Sequence, residues 1–115
     1  MAAEEIQANQ ELAVQSYTEE YYSSLEQGTW ASAKEIVPLV MQLVQPRSVV
    51  DVGCGIGIWL SVFMESGVED VLGVDGAHVN KKQLQIPQEC FTAADLEQHF
   101  AIGRKFDLEA TPIGR

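Results

Sequence analysis

Apolar residues recur along this chain at two different periods, and the switches between them mark its elements. Ile36, Leu39, Val40, Leu43 and Val44 follow one another at helical spacing, behind a Ser32/Glu35 pair that fits a capping box. Pro38 lies inside that pattern, where a missing backbone donor predicts a kink or a late start, and Pro46 closes it. Upstream the apolar spacing is weaker (Ile6, Leu12, Val14, Tyr17, Tyr21, Tyr22, Leu25). It predicts loose structure first, then a helix over Tyr17–Leu25 that Gly28 breaks. After Pro46 the pattern changes to short β-rich runs. Ser48-Val-Val-Asp-Val52 predicts a first strand, and Asp70-Val-Leu-Gly-Val-Asp75, apolar at nearly every position, a second one buried on both faces. Between them Ile58–Ser66 predicts a helix with Leu60, Phe63 and Met64 on one face and Gly67 at its C-cap. Further on come a short helix over Val79–Leu84, a third strand from Cys90 ending at Asp95, and a helical turn over Leu96–Phe100. Lys105-Phe-Asp-Leu108 opens a fourth strand. Strands alternating with helices predict right-handed crossovers and an α/β fold: a Rossmann-like parallel sheet flanked by helices.

Composition narrows the function classes. The chain has 115 residues, enough for one small domain, with 46% hydrophobic and 21% charged residues, an ordinary globular balance. No apolar run approaches the roughly 20 residues that span a bilayer, and the N-terminus has neither the basic start nor the apolar block of a secretory signal. Cys54 and Cys90 form no CxxC pair, which fits reduced thiols in a cytoplasmic protein. The net charge of −10, with six Glu and no Lys or Arg in residues 1–27, repels phosphate backbones. Nucleic acid and membrane are therefore not expected partners, and a small cationic ligand is electrostatically welcome.

The chemistry concentrates where the first strand meets the next helix. Gly53-x-Gly55-x-Gly57 is the general mark of a nucleotide-binding βαβ unit, because side chains would block a ligand's approach to the backbone of the turn. Taken alone the glycines equally serve an ordinary tight turn. The acids around them sharpen the reading. Asp51 stands two residues before the first glycine, where a dinucleotide fold wants an apolar residue, and Ile58 occupies the place of that fingerprint's third glycine. A ligand without phosphate and with positive charge suits a carboxylate there. Asp75 ends the second strand 24 residues after Asp51, near the ~20-residue offset at which a carboxylate meets ribose hydroxyls. Asp95 follows the third strand, in reach of an adenine edge.

These residues carry a family resemblance. Val49-Val-Asp-Val-Gly-Cys-Gly-Ile-Gly57 resembles motif I of class I S-adenosylmethionine-dependent methyltransferases; Val71-Leu-Gly-Val-Asp75 resembles the next motif, and Ala93-Ala-Asp95-Leu96 the adenine-contacting one. The resemblance covers about residues 30–108 and implies a class I fold with S-adenosyl-L-methionine as cofactor. It implies that Asp51 and the loop of Gly53, Cys54, Gly55 and Gly57 hold the methionine portion. Asp75 with Gly76 would then hold the ribose, and Asp95 with Leu96 the adenine. Where many relatives have an acidic or bulky residue after the strand-two acid, this chain has Gly76-Ala77-His78.

The family sheet has seven strands, whereas only three and the start of a fourth can be found here. Glu109, Pro112 and Gly114 are poor continuation for a buried strand. The expected organisation is an acidic helical segment over 1–28, the partial cofactor-binding domain over 29–108 and a tail over 109–115, truncated after the start of the fourth strand. An uncovered sheet edge of this kind invites self-association. The methyl acceptor is expected to be a small molecule, and no residue is nominated as catalytic base. A non-catalytic methyltransferase-like module, and at greater distance a NAD-type dinucleotide-binding protein, are the rival readings. His78 and His99 are isolated from any Cys or acid at ligand spacing, and no metal is expected. Cys54 reads as loop packing rather than as a nucleophile, and Lys81-Lys82 as a solvated face. Glu69 and Asp70 read as turn residues. Trp30 with Tyr17, Tyr21 and Tyr22 is either pocket wall or hydrophobic cover, and Asp107 either faces the site or is an ordinary strand-edge acid.

Overall fold

A parallel sheet of order β3-β2-β1-β4 forms the centre of the chain, in a computed structural model that describes residues 3–98 and 101–110, with side chains from Ser23 onward. The strands are β1 (Ser48–Val52), β2 (Asp70–Asp75), β3 (Phe91–Ala93) and β4 (Leu108–Glu109); the helices are α1 (Ala3–Leu43) and α2 (Ile58–Glu65). This is an α/β Rossmann-like arrangement. Position 51 of β1 pairs with Gly73 of β2, and Asp75 with Ala93 of β3, so the carboxyl ends of β1, β2 and β3 point the same way.

Alternation along the strands divides the core. Val49 and Val71 face the helices and join Ala33, Val37, Leu60 and Phe63 in one buried cluster. Val50 and Val74, also buried, belong to the other face, where Leu72, Val74, Thr92 and Ala94 meet Ala101 and Ile102 around a small cavity of about 110 Å³. The segment before β4 is strapped to the amino end of β2. The Arg104 guanidinium gives Asp70 two hydrogen bonds, at 2.6 and 3.0 Å, and its carbon lies 4.1 Å from the centre of the Phe106 ring. The hydrogen bond from Arg104 holds the Asp70 carboxyl below its ordinary 3.8, so that contribution is complete above that value and fades as acid protonates the carboxylate.

Helix α1 departs from the sequence expectation in three ways. It is continuous, with neither a break at Gly28 nor a start at Ser32, so the Ser32/Glu35 pair lies in mid-helix and caps nothing. Pro38 also sits inside it. Lys34, whose carbonyl the proline leaves without its usual partner, and Pro38 itself are both exposed, so water can take that bond. The buried stripe is Trp30, Ala33, Val37, Val40 and Met41; the expected Ile36, Leu39 and Leu43 form a second stripe that stays exposed. Trp30 is thus cover for the core, with Lys34 Nζ 5.7 Å from its ring centre. Smaller differences follow local hydrogen bonding. Helix α2 stops at Glu65, and Gly67 and Val68 donate back to the carbonyls of Met64 and Phe63, a Schellman ending. Where a helix is expected over Val79–Leu84, only a 3₁₀ turn over Lys81–Gln83 forms, begun by Asn80, whose Oδ1 accepts from the Lys82 N–H at 3.0 Å. Asp70 is the first residue of β2 rather than a turn residue, and Glu109 lies in β4, paired with Val50. The side chains of Tyr17, Tyr21 and Tyr22, together with His99, Phe100 and residues 111–115, lie outside the described residues.

Gly73 leaves no room for a side chain. A Cβ there would lie 2.8 Å from Cys54 Sγ, 3.1 Å from Ile86 Cδ1 and 3.2 Å from Leu60 Cδ1. Gly73→Ala should therefore cost about 1–3 kcal/mol in urea unfolding. Part of that loss should return in the Gly73→Ala/Cys54→Ala double variant, whereas simple additivity of the two substitutions would contradict this packing.

Candidate functional site

The turn after β1 is built on three residues that turn left-handed: Gly53, Gly55 and Gly57 have φ of 82°, 57° and 87°. Side chains disfavour that region by about 1–2 kcal/mol each, which is why the motif alternates glycine with other residues. The loop is held from three sides. Gly53 and Cys54 donate to the Val74 carbonyl at 2.7 and 3.2 Å, and Ile56 accepts from the Gln85 N–H at 2.7 Å. The third hold is Asp75, whose Oδ2 accepts from the Gly55 N–H at 2.7 Å. Its Oδ1 accepts from the Gly76 N–H, also at 2.7 Å. One carboxylate thus ties the end of β2 to the turn after β1.

Asp75 opens on a cleft of about 530 Å³, lined by residues 75–78 from the end of β2 onward and residues 93–97 from the end of β3 onward. Two sequence-nominated acids meet here. Asp95 begins the far wall, where its Oδ1 accepts from the Glu97 N–H at 3.0 Å and fixes the turn that presents Leu96, 39% exposed. Gly76 lies between Asp75 and His78 on the near wall. Asp51 is elsewhere. It is fully enclosed on the helix-facing side of β1, and every buried side-chain polar atom among the described residues, its own included, has a partner. An enclosed carboxylate with its bonds already made is not among the residues that line the cleft. Cys54 is buried below the turn with its thiol donating to the Gly55 carbonyl at 3.3 Å, a packing position. Asp107 lies at the amino end of the sheet, accepting from the Arg47 N–H at 2.8 Å, away from the cleft. Burial pushes the Cys90 thiol up, with Glu89 and Asp70 adding to it, which leaves it a poor nucleophile. Among the described residues no three His, Cys, Asp or Glu side chains are placed to hold a metal.

Two residues of the site escaped sequence reasoning. Ile86 is buried against both Gly57 and Gly73, so the segment after the 3₁₀ turn braces the glycine loop. Gly73 is its counterpart. A lone glycine in an otherwise apolar strand signals close approach of another chain segment, and that signal was available.

The residues suit a small ligand that carries hydroxyl groups. A Cβ at Gly55 would meet nothing within 4 Å, so the turn presents bare backbone to open space. Each Asp75 oxygen accepts one backbone bond, and an ionised carboxylate oxygen has a second lone pair with which to receive a hydroxyl. The cleft lies at carboxyl ends of parallel strands, where ligands bind in open α/β sheets, and its size falls within the few hundred to ~1,000 Å³ of small-molecule sites.

Fold and cleft together define a Rossmann-like α/β protein with a cleft at the carboxyl ends of β2 and β3. The sequence matches the family described as a methyltransferase domain over residues 22–108, about three-quarters of the chain, and the chain belongs to that family. No curated protein matches it, and no solved structure does.

Removing the Asp75 carboxylate frees the N–H groups of Gly55 and Gly76. Asp75→Ala should thus lower unfolding free energy by about 1–3 kcal/mol, whereas Asp95→Ala, on an exposed turn, should stay within about 1 kcal/mol. Equal effects in a urea titration would remove Asp75 from its place as the loop's clamp.

Proposed function

We propose that this methyltransferase domain binds S-adenosyl-L-methionine and serves methyl transfer to a small-molecule acceptor. The observation that carries the reading is the position of Asp75, bonded to the glycine loop and open to a cleft it shares with Asp95. When bound, the cofactor supplies an electrophilic methyl group on a sulfonium centre. The chain's part is to hold and orient. Asp75 receives ribose hydroxyls on its remaining lone pairs, Asp95 and Leu96 meet the adenine, and Gly55, where a Cβ would meet nothing within 4 Å, leaves bare backbone for the methionine portion. The net charge of −10 favours a cationic ligand over one bearing phosphates. Alignment of the two reactants is the main catalytic contribution expected of such a site.

Ile58 argues against a dinucleotide in this reading. It is the first residue of α2 and is buried in the core at the place where a dinucleotide fingerprint has its third glycine. No helix among the described residues is long and apolar enough to cross a membrane. Among the described residues β3 and β4 form the sheet's edges, and these, with the exposed Ile36, Leu39 and Leu43 of α1, favour self-association. Sedimentation velocity should show a mass that rises with concentration, and a monomer at every concentration would count against that surface.

Calorimetric titration with S-adenosylhomocysteine tests the binding reading. The wild-type chain should bind it, Asp75→Asn should weaken binding by about 10–100-fold with the fold intact, and NAD should bind far more weakly or not at all. Equal affinity in the two chains, or preference for NAD, would contradict the assignment.

A further inference from the structure

His78 is placed over the cleft by a feature of the backbone. An ideal Cβ at Gly76 would lie 2.6 Å from His78 Nδ1 and 2.9 Å from Cε1, so the imidazole sits across Gly76 in space that a side chain would occupy. From there Nε2 stands 4.0 Å from Asp75 Oδ1, and both residues line the same cleft. That separation is too long for a direct hydrogen bond. It is the span that one hydroxyl oxygen fills when it lies about 2.8 Å from each atom, donating to the carboxylate and accepting from the imidazole N–H. The imidazole is 77% exposed, so the pair is open to a ligand from the cleft side.

We infer that His78 is a specificity-determining binding residue, which together with Asp75 grips a single ligand hydroxyl as donor and acceptor at once. The inference rests on the adenosyl reading above and adds to it a residue outside the motif pattern. A hydroxyl satisfies both partners. Hydrogen in its place satisfies neither, and an ether oxygen only the imidazole. Of the two ribose hydroxyls, one meets His78 and Asp75 together and the other meets Asp75 alone. His78 therefore discriminates between ligands that differ only at one ribose position. Gly76 belongs to the same device, because any larger residue there displaces the ring.

The test uses adenosine, 2′-deoxyadenosine and 3′-deoxyadenosine titrated into wild type and His78→Ala. The substituted residue is exposed, and the melting temperature of the variant checks that its fold is kept. His78→Ala should weaken adenosine and one of the deoxy compounds by about five- to tenfold, and leave the affinity of the other deoxy compound unchanged. Equal losses for all three ligands, or no loss for any, would overturn the inference while leaving the adenosyl site in place. Failure of folded wild type to bind any of these ligands or S-adenosylhomocysteine would overturn the adenosyl reading itself, and this one with it.

Discussion

The carboxyl end of this sheet is organised around one charged group accepting two backbone hydrogen bonds. The Asp75 carboxylate joins Gly55 of the turn after β1 to Gly76 of the turn after β2. Charge-assisted bonds of this type are stronger than neutral ones, and here one of them acts on the glycine turn and the other on the turn after β2. Three left-handed glycines leave the loop with more freedom to lose on folding than any other stretch of this length. The carboxylate, the Val74 carbonyl and the Gln85 N–H offset that cost together. Ile86 then closes the underside of the loop.

The same geometry explains why the glycines come in two kinds. Those of the turn are there for backbone conformation, Gly57 also for the room that Ile86 takes, and Gly73 is there for space alone, since Cys54, Leu60 and Ile86 all reach toward its Cα. Without that close approach the loop could not settle onto β2, and Asp75 could not reach Gly55. Packing deep in the sheet thus sets the position of a group at its rim.

Much of this was legible in the residues. The first two strands, the glycine turn and the positions of Asp75 and Asp95 along the chain follow from periodicity and spacing, because a buried parallel strand leaves few alternatives for its end. What the residues concealed depended on partners distant in sequence. Helix α1 has two apolar stripes, and only tertiary contact decides that Ala33 and Val37 are buried while Leu39 is not. Pro38 and Gly28 are tolerated within it because they fall on its exposed side. Asp51 stands by sequence at the end of its strand, yet alternation turns it toward the helices and encloses it. The Arg104–Asp70 strap joins residues 34 positions apart and has no local signature.

The central claim is that Asp75 couples the glycine turn to an adenosyl-binding cleft. Amide-resolved NMR during titration with S-adenosylhomocysteine tests it most directly. The account predicts concerted shifts at Gly55, Gly76 and Leu96, with the amides of Gly67 and Arg104, at the other end of the sheet, unmoved. Shifts confined to the amino end of the sheet, or movement at Leu96 without Gly55, would contradict it.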